Sequence, residues 1–304
     1  MTEAVLLACD WGNTRLRAWV LGADGSVLAS RTFDQGVLGL DPGQAGDVFQ
    51  RQVRPSMGAE RLPAILCGGV GSTIGWRTVD YVDCPADAHA LAARLERVGD
   101  TDAPAWIVPG VRGPGLTGAV DVMRGEETQV FGWLELDPDR CTGRRVICHP
   151  GTHGKWILVQ DGRIVRFVSF MTGELFAVLT RHSVLKTQAP ADDMAAFDEG
   201  LAAAADGGAL AARLFSTRSR VVGGGKPAAA MASYLSGVLI GAEVAAAAQA
   251  LDVDATGPVE LLGEPNLNTL YCRAMQRRGV DVAVHDGANA AVAGLWALRR
   301  LATG

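Results

Sequence analysis

Apolar and polar positions fall into short runs separated by turn-forming residues, and the first three runs set a plan. Val5 to Cys9, Arg15 to Leu21 and Val27 to Phe33 each have the length and residue types of a strand, with Asp-Trp-Gly-Asn-Thr and Ala-Asp-Gly between them. Asp24-Gly25 is a hairpin signal, because both residues tolerate the left-handed backbone of a two-residue turn. The opening predicts a three-stranded meander. Residues 145–170 repeat it: Val146 to Cys148, a His-Pro-Gly-Thr-His-Gly turn, Lys155 to Gln160, an Asp161-Gly162 turn and Ile164 to Phe170. An offset of 139 sets Gly12 on Gly151 and Cys9 on Cys148, and brings Trp19 and Trp156 onto the same second strand. The chain reads as internally duplicated.

The later runs agree. Ala64 to Cys67 leads into Gly68-Gly69, and Ala105 to Val108 into Pro109-Gly110, ahead of a helix-like Glu126 to Leu134. In the second half Val259 to Leu262 leads into Gly263, followed by a helix-like Asn266 to Arg278, Val280 to Val284 and a terminal helix from about Asn289 to Leu301. Each half is β-β-β-α-β-α-β-α in outline, an α/β domain of mixed sheet with covering helices. The expected boundary gives domains 1–143 and 144–304, with an alanine-rich helical insertion over 195–251 and the terminal helix packing back at the hinge. Ala228 to Leu251 is long and apolar, but it carries Ser233, Ser236, Glu243 and Gln249 and is apolar mainly through alanine. It reads as a buried helix rather than a membrane span.

Composition narrows the function. The 304 residues are 48% hydrophobic and 20% charged, which excludes a disordered or fibrous chain and suits about two domains. A net charge of −5 gives no basic footprint for nucleic acid or an anionic membrane, so the expected partner is a small molecule. Six cysteines without CxxC spacing make a disulfide framework or zinc site an unsuitable reading. The first residues lack the pattern of a signal peptide, and a cytoplasmic protein is expected. Oligomeric state is left open, a homo-oligomer included.

The candidate chemistry sits in the turns. Asp10-Trp11-Gly12-Asn13-Thr14-Arg15 joins two strands: small residues let backbone N–H groups face an anion, and a carboxylate at a strand end can hold magnesium. Alone, the same string is also an ordinary tight turn. The equivalent turn Pro150-Gly151-Thr152-His153 shifts the balance, since two polar, glycine-containing loops at matching places would grip a polyphosphate across a central cleft. Leu262-Gly263-Glu264-Pro265-Asn266 could admit adenosine against Gly263, or could be a strand-to-helix turn with Asn266 as N-cap. Glu126 and Glu127 open a helix, which the macrodipole favours in any case. One of them, or Asp121, could instead act as general base.

These residues resemble the phosphate-1, phosphate-2 and adenosine motifs of the sugar kinase, heat-shock chaperone and actin superfamily. More closely, Asp121-Val-Met-Arg-Gly-Glu-Glu-Thr-Gln129, Pro150-Gly-Thr-His153, Phe170-Met-Thr-Gly-Glu-Leu-Phe176 and Tyr234-Leu-Ser-Gly-Val-Leu-Ile-Gly-Ala-Glu243 look like the 2-dehydro-3-deoxygalactonokinase family. The resemblance implies a duplicated ribonuclease H-like, actin-like ATPase fold. It also implies phosphorylation of the 6-hydroxyl of 2-dehydro-3-deoxy-D-galactonate by ATP with Mg2+, the alternatives being a kinase for another sugar acid or hexose, or an actin- or chaperone-like nucleotide switch. By the superfamily pattern Asp10 would order the metal. Gly12, Asn13, Thr14 and Arg15 would hold phosphate from one side, and Gly151, Thr152 and His153 from the other, with Gly263 and Asn266 at adenosine. Glu126 would be the base, with Glu127 and Asp121 behind it. The acceptor set would be Trp76, Arg112, Arg124, His153, Thr172 and Glu174. Gly75-Trp76-Arg77-Thr78-Val79-Asp80-Tyr81 departs from the family's expected Gly-Trp-x-Glu-x-x-Tyr, which touches substrate preference rather than the kinase reading.

Overall fold

The computed structural model describes residues 2–99, 103–206, 208–253 and 257–303. Two compact units emerge, one of residues 1–144, 159–167 and 286–304, the other of residues 145–158 and 168–285.

In chain order the first unit holds β1 (Ala4–Trp11), β2 (Leu16–Gly22), β3 (Val27–Phe33), α1 (Ala45–Val48) and α2 (Arg54–Ser56) joined by a π turn over Phe49–Val53, β4 (Ala64–Cys67), β5 (Tyr81–Asp83), α3 (Ala88–Ala92), β6 (Glu96–Val98), β7 (Ala105–Ile107), β8 (Gly110–Pro114), β9 (Val120–Met123) and α4 (Glu126–Glu135). The expected meander is present: β1 pairs antiparallel with β2 and β2 with β3, while β4 joins β1 in parallel and β7 joins β4. The six-stranded order is β3-β2-β1-β4-β7-β6. Leu7, Cys9 and Trp11 alternate with Leu6 and Ala8 along β1 and all are buried, as expected of a central strand covered on both faces. On one side lie Phe49, Val53 and Val70. The terminal helix belongs to this unit and packs on α4 at two glycines: a Cβ on Gly132 would stand 1.8 Å from Ala290 O, and one on Gly294 2.0 Å from Thr128 O. A second, three-stranded sheet, β5-β8-β9, has no counterpart in the expected outline, because its strands are three to five residues long and broken by glycine and proline.

The remaining elements are β10 (Arg144–His149), β11 (Gly154–Gln160), β12 (Arg163–Phe170), α5 (Thr172–His182), α6 (Met194–Ala204), α7 (Leu210–Val222), α8 (Met231–Leu251), β13 (Val259–Gly263), α9 (Pro265–Gln276), β14 (Val282–Asp286) and α10 (Gly287–Leu301), the terminal helix. Their sheet runs β12-β11-β10-β13-β14, with β13 parallel to β10. Both large sheets therefore share a meander extended in parallel from its first strand, which is the ribonuclease H-like plan used twice. The alanine-rich region forms three helices, and α6 meets α8 where Gly200 and Gly237 bring the backbones together: a Cβ on either would come within 2.2 Å of a carbonyl oxygen of the other helix. Among the described residues the segment Ala228–Leu251 is long and apolar enough to cross a membrane, yet 72% of its most apolar window is buried inside the protein.

Candidate active site

In the first unit three backbone segments meet through two glycines. Gly68, following β4, has φ +90°, and a Cβ there would lie 2.7 Å from Trp11 O and 3.4 Å from Asp10 Oδ1. Gly125, the N-cap of α4, has φ +115°, and its Cβ would meet Gly68 Cα at 3.1 Å. Only glycine adopts these conformations without strain and leaves room for the approach. The end of β1 and the start of α4 thus both come up against Gly68.

Asp10 is buried at the end of β1 and accepts a 2.7 Å bond on Oδ2 from Arg17 Nη2, its cross-strand partner on β2. The turn beyond it is held by Gly12 N donating to Arg15 O at 2.9 Å, and by Val37 N and Leu38 N donating to the carbonyls of Gly12 and Asn13 at 3.1 Å. Asn13, Thr14 and Arg15 are exposed at its tip. Among the described residues no cluster of three or more His, Cys, Asp or Glu side chains could hold a metal. A single carboxylate with one oxygen committed to an arginine nonetheless suits Mg2+ carried on a polyphosphate, since that ion keeps its waters and takes one or two protein carboxylates.

The two glutamates of α4 differ. Glu127 is fully buried, and both its oxygens accept from Gly125 N, at 2.9 and 2.7 Å, with Thr128 Oγ1 donating at 3.1 Å. Burial, then the neighbouring charge of Glu126, pushes its carboxyl up to about 8. Glu126 is half-buried and accepts from Arg124 N at 3.1 Å. Asp121 stands in the three-stranded sheet on β9, where its Oδ1 accepts from Val122 N at 2.8 Å.

The two arginines also part company. Arg112 is exposed and forks onto Asp83, at 2.5 and 3.2 Å. Arg124 lies over the Tyr81 ring at 4.3 Å and donates Nη2 to Val79 O at 2.6 Å, while its buried Nε and Nη1 have no hydrogen-bond partner among the described residues. Buried N–H groups left unpaired cost about 1–3 kcal/mol each, so Arg124 is the better prepared to receive a carboxylate. Trp76 packs in the core, its ring 5.4 Å from that of Phe49.

In the second unit the Pro150–His153 turn rests on the start of α5. A Cβ on Gly173 would stand 2.5 Å from Gly151 O, and Glu174 N donates to Thr152 O at 3.0 Å. His153 Nε2 and Glu174 Oε2 are 2.5 Å apart. Gly151 itself has open space where a Cβ would go. A cavity of about 150 Å³ includes Gly151, Thr172 and Tyr271 in its lining, with Phe176, Leu239 and Leu270 among its apolar walls. Gly263 faces Pro150 and the buried Asn268, whose Nδ2 donates to Gly263 O at 3.0 Å and whose Oδ1 has no hydrogen-bond partner among the described residues. The N-cap of α9 is Glu264, not Asn266: Pro265 takes the first helical position, where its missing N–H costs nothing, and Asn266 is exposed in the first turn.

A duplicated ribonuclease H-like fold with an aspartate-bearing polar turn after its first strand suits a phosphotransferase of the sugar-kinase class. The family model described as 2-keto-3-deoxy-galactonokinase matches residues 10–298, and the chain belongs to that family. It is 36% identical to a probable 2-dehydro-3-deoxygalactonokinase of Rhizobium meliloti, over 98% of each chain. It is 34% identical to the 2-dehydro-3-deoxygalactonokinase of Escherichia coli, over 95% of each. A crystal structure from Sinorhizobium meliloti, described as a candidate 2-dehydro-3-deoxygalactonokinase, superposes with a TM-score of 0.84 at 34% identity, covering 97% of this chain and 98% of that one. The protein is a sugar-acid kinase, and a kinase of this family uses a nucleotide.

Sequence reading gave no site role to Arg17, Gly68, Lys155, Glu243 or Tyr271. Arg17 was within reach, because the turn length fixes the register that pairs it with Asp10. A lone glutamate in an alanine-rich helix was also a signal, since a charge there is buried and needs partners.

Proposed function

We propose that this kinase transfers the γ-phosphoryl group of ATP, with Mg2+, to the 6-hydroxyl of 2-dehydro-3-deoxy-D-galactonate in the cytoplasm. The observation that carries the reading is the approach of two backbone segments to Gly68 within residues 1–143: the strand end that bears Asp10 and leads into the Gly12–Arg15 turn, and the helix start that bears Glu126. Asp10 would hold the ion, which when bound supplies positive charge to the transferring group. Backbone N–H groups at the exposed tip of the first turn, those of Asn13 and Thr14, would orient phosphate oxygens, with Gly12 N–H closing the turn onto Arg15 O, and those of Gly151 and Thr152, in residues 144–304, would do the same for the nucleotide. Glu126 is the base: Glu127 has both oxygens turned back on Gly125 N, whereas Glu126 stands half-buried at the helix start. The unpaired N–H groups of Arg124 receive the sugar carboxylate, and Arg112 can exchange its exposed partner Asp83 to assist. The apolar cavity beside Gly151 takes the purine, with Gly263 and Asn266 at the neighbouring edge. Phosphoryl transfer rests mainly on position and charge, so this set of contacts suffices without a covalent intermediate.

The test is turnover on a panel of 2-keto-3-deoxy sugar acids and hexoses, with ATP consumption followed with and without acceptor. Phosphorylation of the keto-deoxy acid is expected, with Glu126→Gln lowering kcat by about 10² to 10⁴, the range of a general base. A hexose preferred over every keto acid would overturn the substrate.

A further inference from the structure

Glu243 lies in the middle of α8, 2% exposed, and is the one charged residue among that helix's buried positions, which are otherwise small, aliphatic, hydroxyl-bearing or, at Tyr234, aromatic. Oε1 accepts from Trp156 Nε1 at 2.9 Å and Oε2 from Tyr271 Oη at 2.7 Å. Thr172, the first residue of α5, is a third side-chain partner, and the buried Lys155 adds its charge. The carboxylate also leans on the backbone: a Cβ on Gly154 would stand 2.7 Å from Oε1. Burial raises its pKa, and the three hydrogen bonds followed by Lys155 act against that rise.

What these partners have in common is their closeness to the Pro150–His153 turn. Gly154 and Trp156 begin the strand that leaves it. Thr172 precedes Gly173 and Glu174, the two residues that rest on Gly151 and Thr152. Thr172 and Tyr271 both line the apolar cavity, and so does Gly151. One carboxylate therefore fixes both supports of the turn and one wall of the cavity. Burying a charge only to stabilise this core would be a poor investment, because apolar residues of similar volume do that at least as well.

We infer that Glu243 is a positioning residue for nucleotide binding: it holds the Gly151–Thr152 backbone and the Tyr271 wall in register with each other. It touches no substrate and acts through Gly154, Thr172 and Tyr271. The inference rests on the reading that this turn and cavity receive the nucleotide. Its signature is selective: Thr172 and Glu174 act here as supports of the turn rather than as the acceptor contacts the resemblance implies, so loosening the register weakens the nucleotide and slows transfer, and leaves the sugar acid's own affinity alone.

The experiment compares wild type with Glu243→Gln and Tyr271→Phe, measuring KM for ATP, KM for the sugar acid, kcat and melting temperature, and ADP affinity by calorimetry. The Tyr271 change removes one hydroxyl and keeps the ring in the wall, so it reports on the register even where the buried Glu243→Gln variant does not fold. Expected are a rise of about tenfold in KM for ATP and in the ADP Kd for Glu243→Gln, about threefold for Tyr271→Phe, and an acceptor KM within twofold of wild type; tenfold corresponds to about 1.4 kcal/mol. Folded variants whose ATP and ADP affinities stay within twofold of wild type, or whose two KM values rise together, would overturn the inference. Failure of wild type itself to bind ADP would instead remove the reading beneath it.

Discussion

The two polar turns follow the first strand of each duplicated sheet, yet they are built on opposite electrostatics. In the first, the carboxylate stands at the turn: Asp10 closes β1, and the cation that answers it, Arg17, sits on the neighbouring strand. In the second, the turn itself carries no acid, and the carboxylates lie behind it, with Glu174 beside His153 and Glu243 beneath Gly154. A duplicated topology fixes where backbone N–H groups gather but leaves the sign of the local charge free. On the proposed reading the first turn would hold a cation with phosphate, and the second would present backbone N–H donors to an anion.

The comparison breaks most directly at Asp10. Replacing it with alanine is expected to lower kcat by about 10³ to 10⁵, the scale of losing a charge that stabilises the transferring phosphoryl group. Turnover at saturating Mg2+, with a melting curve to show the fold intact, checks this. A loss of tenfold or less would place the cation elsewhere and make the two turns electrostatically alike.

A smaller effect sharpens the contrast from the other side. A Cβ at Gly151 meets nothing within 4 Å, whereas one at Gly173 would run into Gly151 O at 2.5 Å. Gly151→Ala is therefore free of internal cost, and any change it causes falls on whatever approaches that face. We expect KM for ATP to rise about tenfold with the melting temperature unchanged, equivalent to about 1.4 kcal/mol of lost contact. An unaltered KM would mean that phosphate does not come to Gly151.

Much of this is legible in the residues alone, and the reason lies in local signals. Asp24-Gly25 and Asp161-Gly162 mark hairpins through residues that tolerate left-handed backbone, and two such meanders, offset by 139 residues at the first turn and 137 at the second, announce a duplicated fold. Asp10 and Glu126 are visible as types at strand and helix ends. The choice between Glu126 and Glu127 is not, because adjacent residues on a helix point about 100° apart and only packing says which face is buried. Nor is the split between Arg112 and Arg124, decided by Asp83 on a neighbouring strand and by Tyr81 beneath the guanidinium. The sheet of β5, β8 and β9 escapes because strands so short carry no period.

The finest distinction is between the glutamates themselves, and pH separates them. Glu127 is pushed from an ordinary 4.5 to about 8, chiefly by burial and next by the charge of Glu126. A carboxyl raised in the folded state contributes stability that is complete below the unfolded value of 4.5 and is lost as pH climbs through about 8, because over that window the unfolded chain releases a proton that the folded one retains. Glu127→Gln cannot ionise, so its melting temperature should draw level with wild type in acid and gain on it steadily up to about pH 8, by a few degrees. Glu126→Gln should act on the same curve in a different way, moving the window of Glu127 downward by removing a neighbouring charge. Thermal denaturation at half-unit pH intervals resolves both. If the difference between Glu127→Gln and wild type stays flat across the window, Glu127 is ionised in the folded protein, and burial no longer distinguishes it from Glu126 as the base.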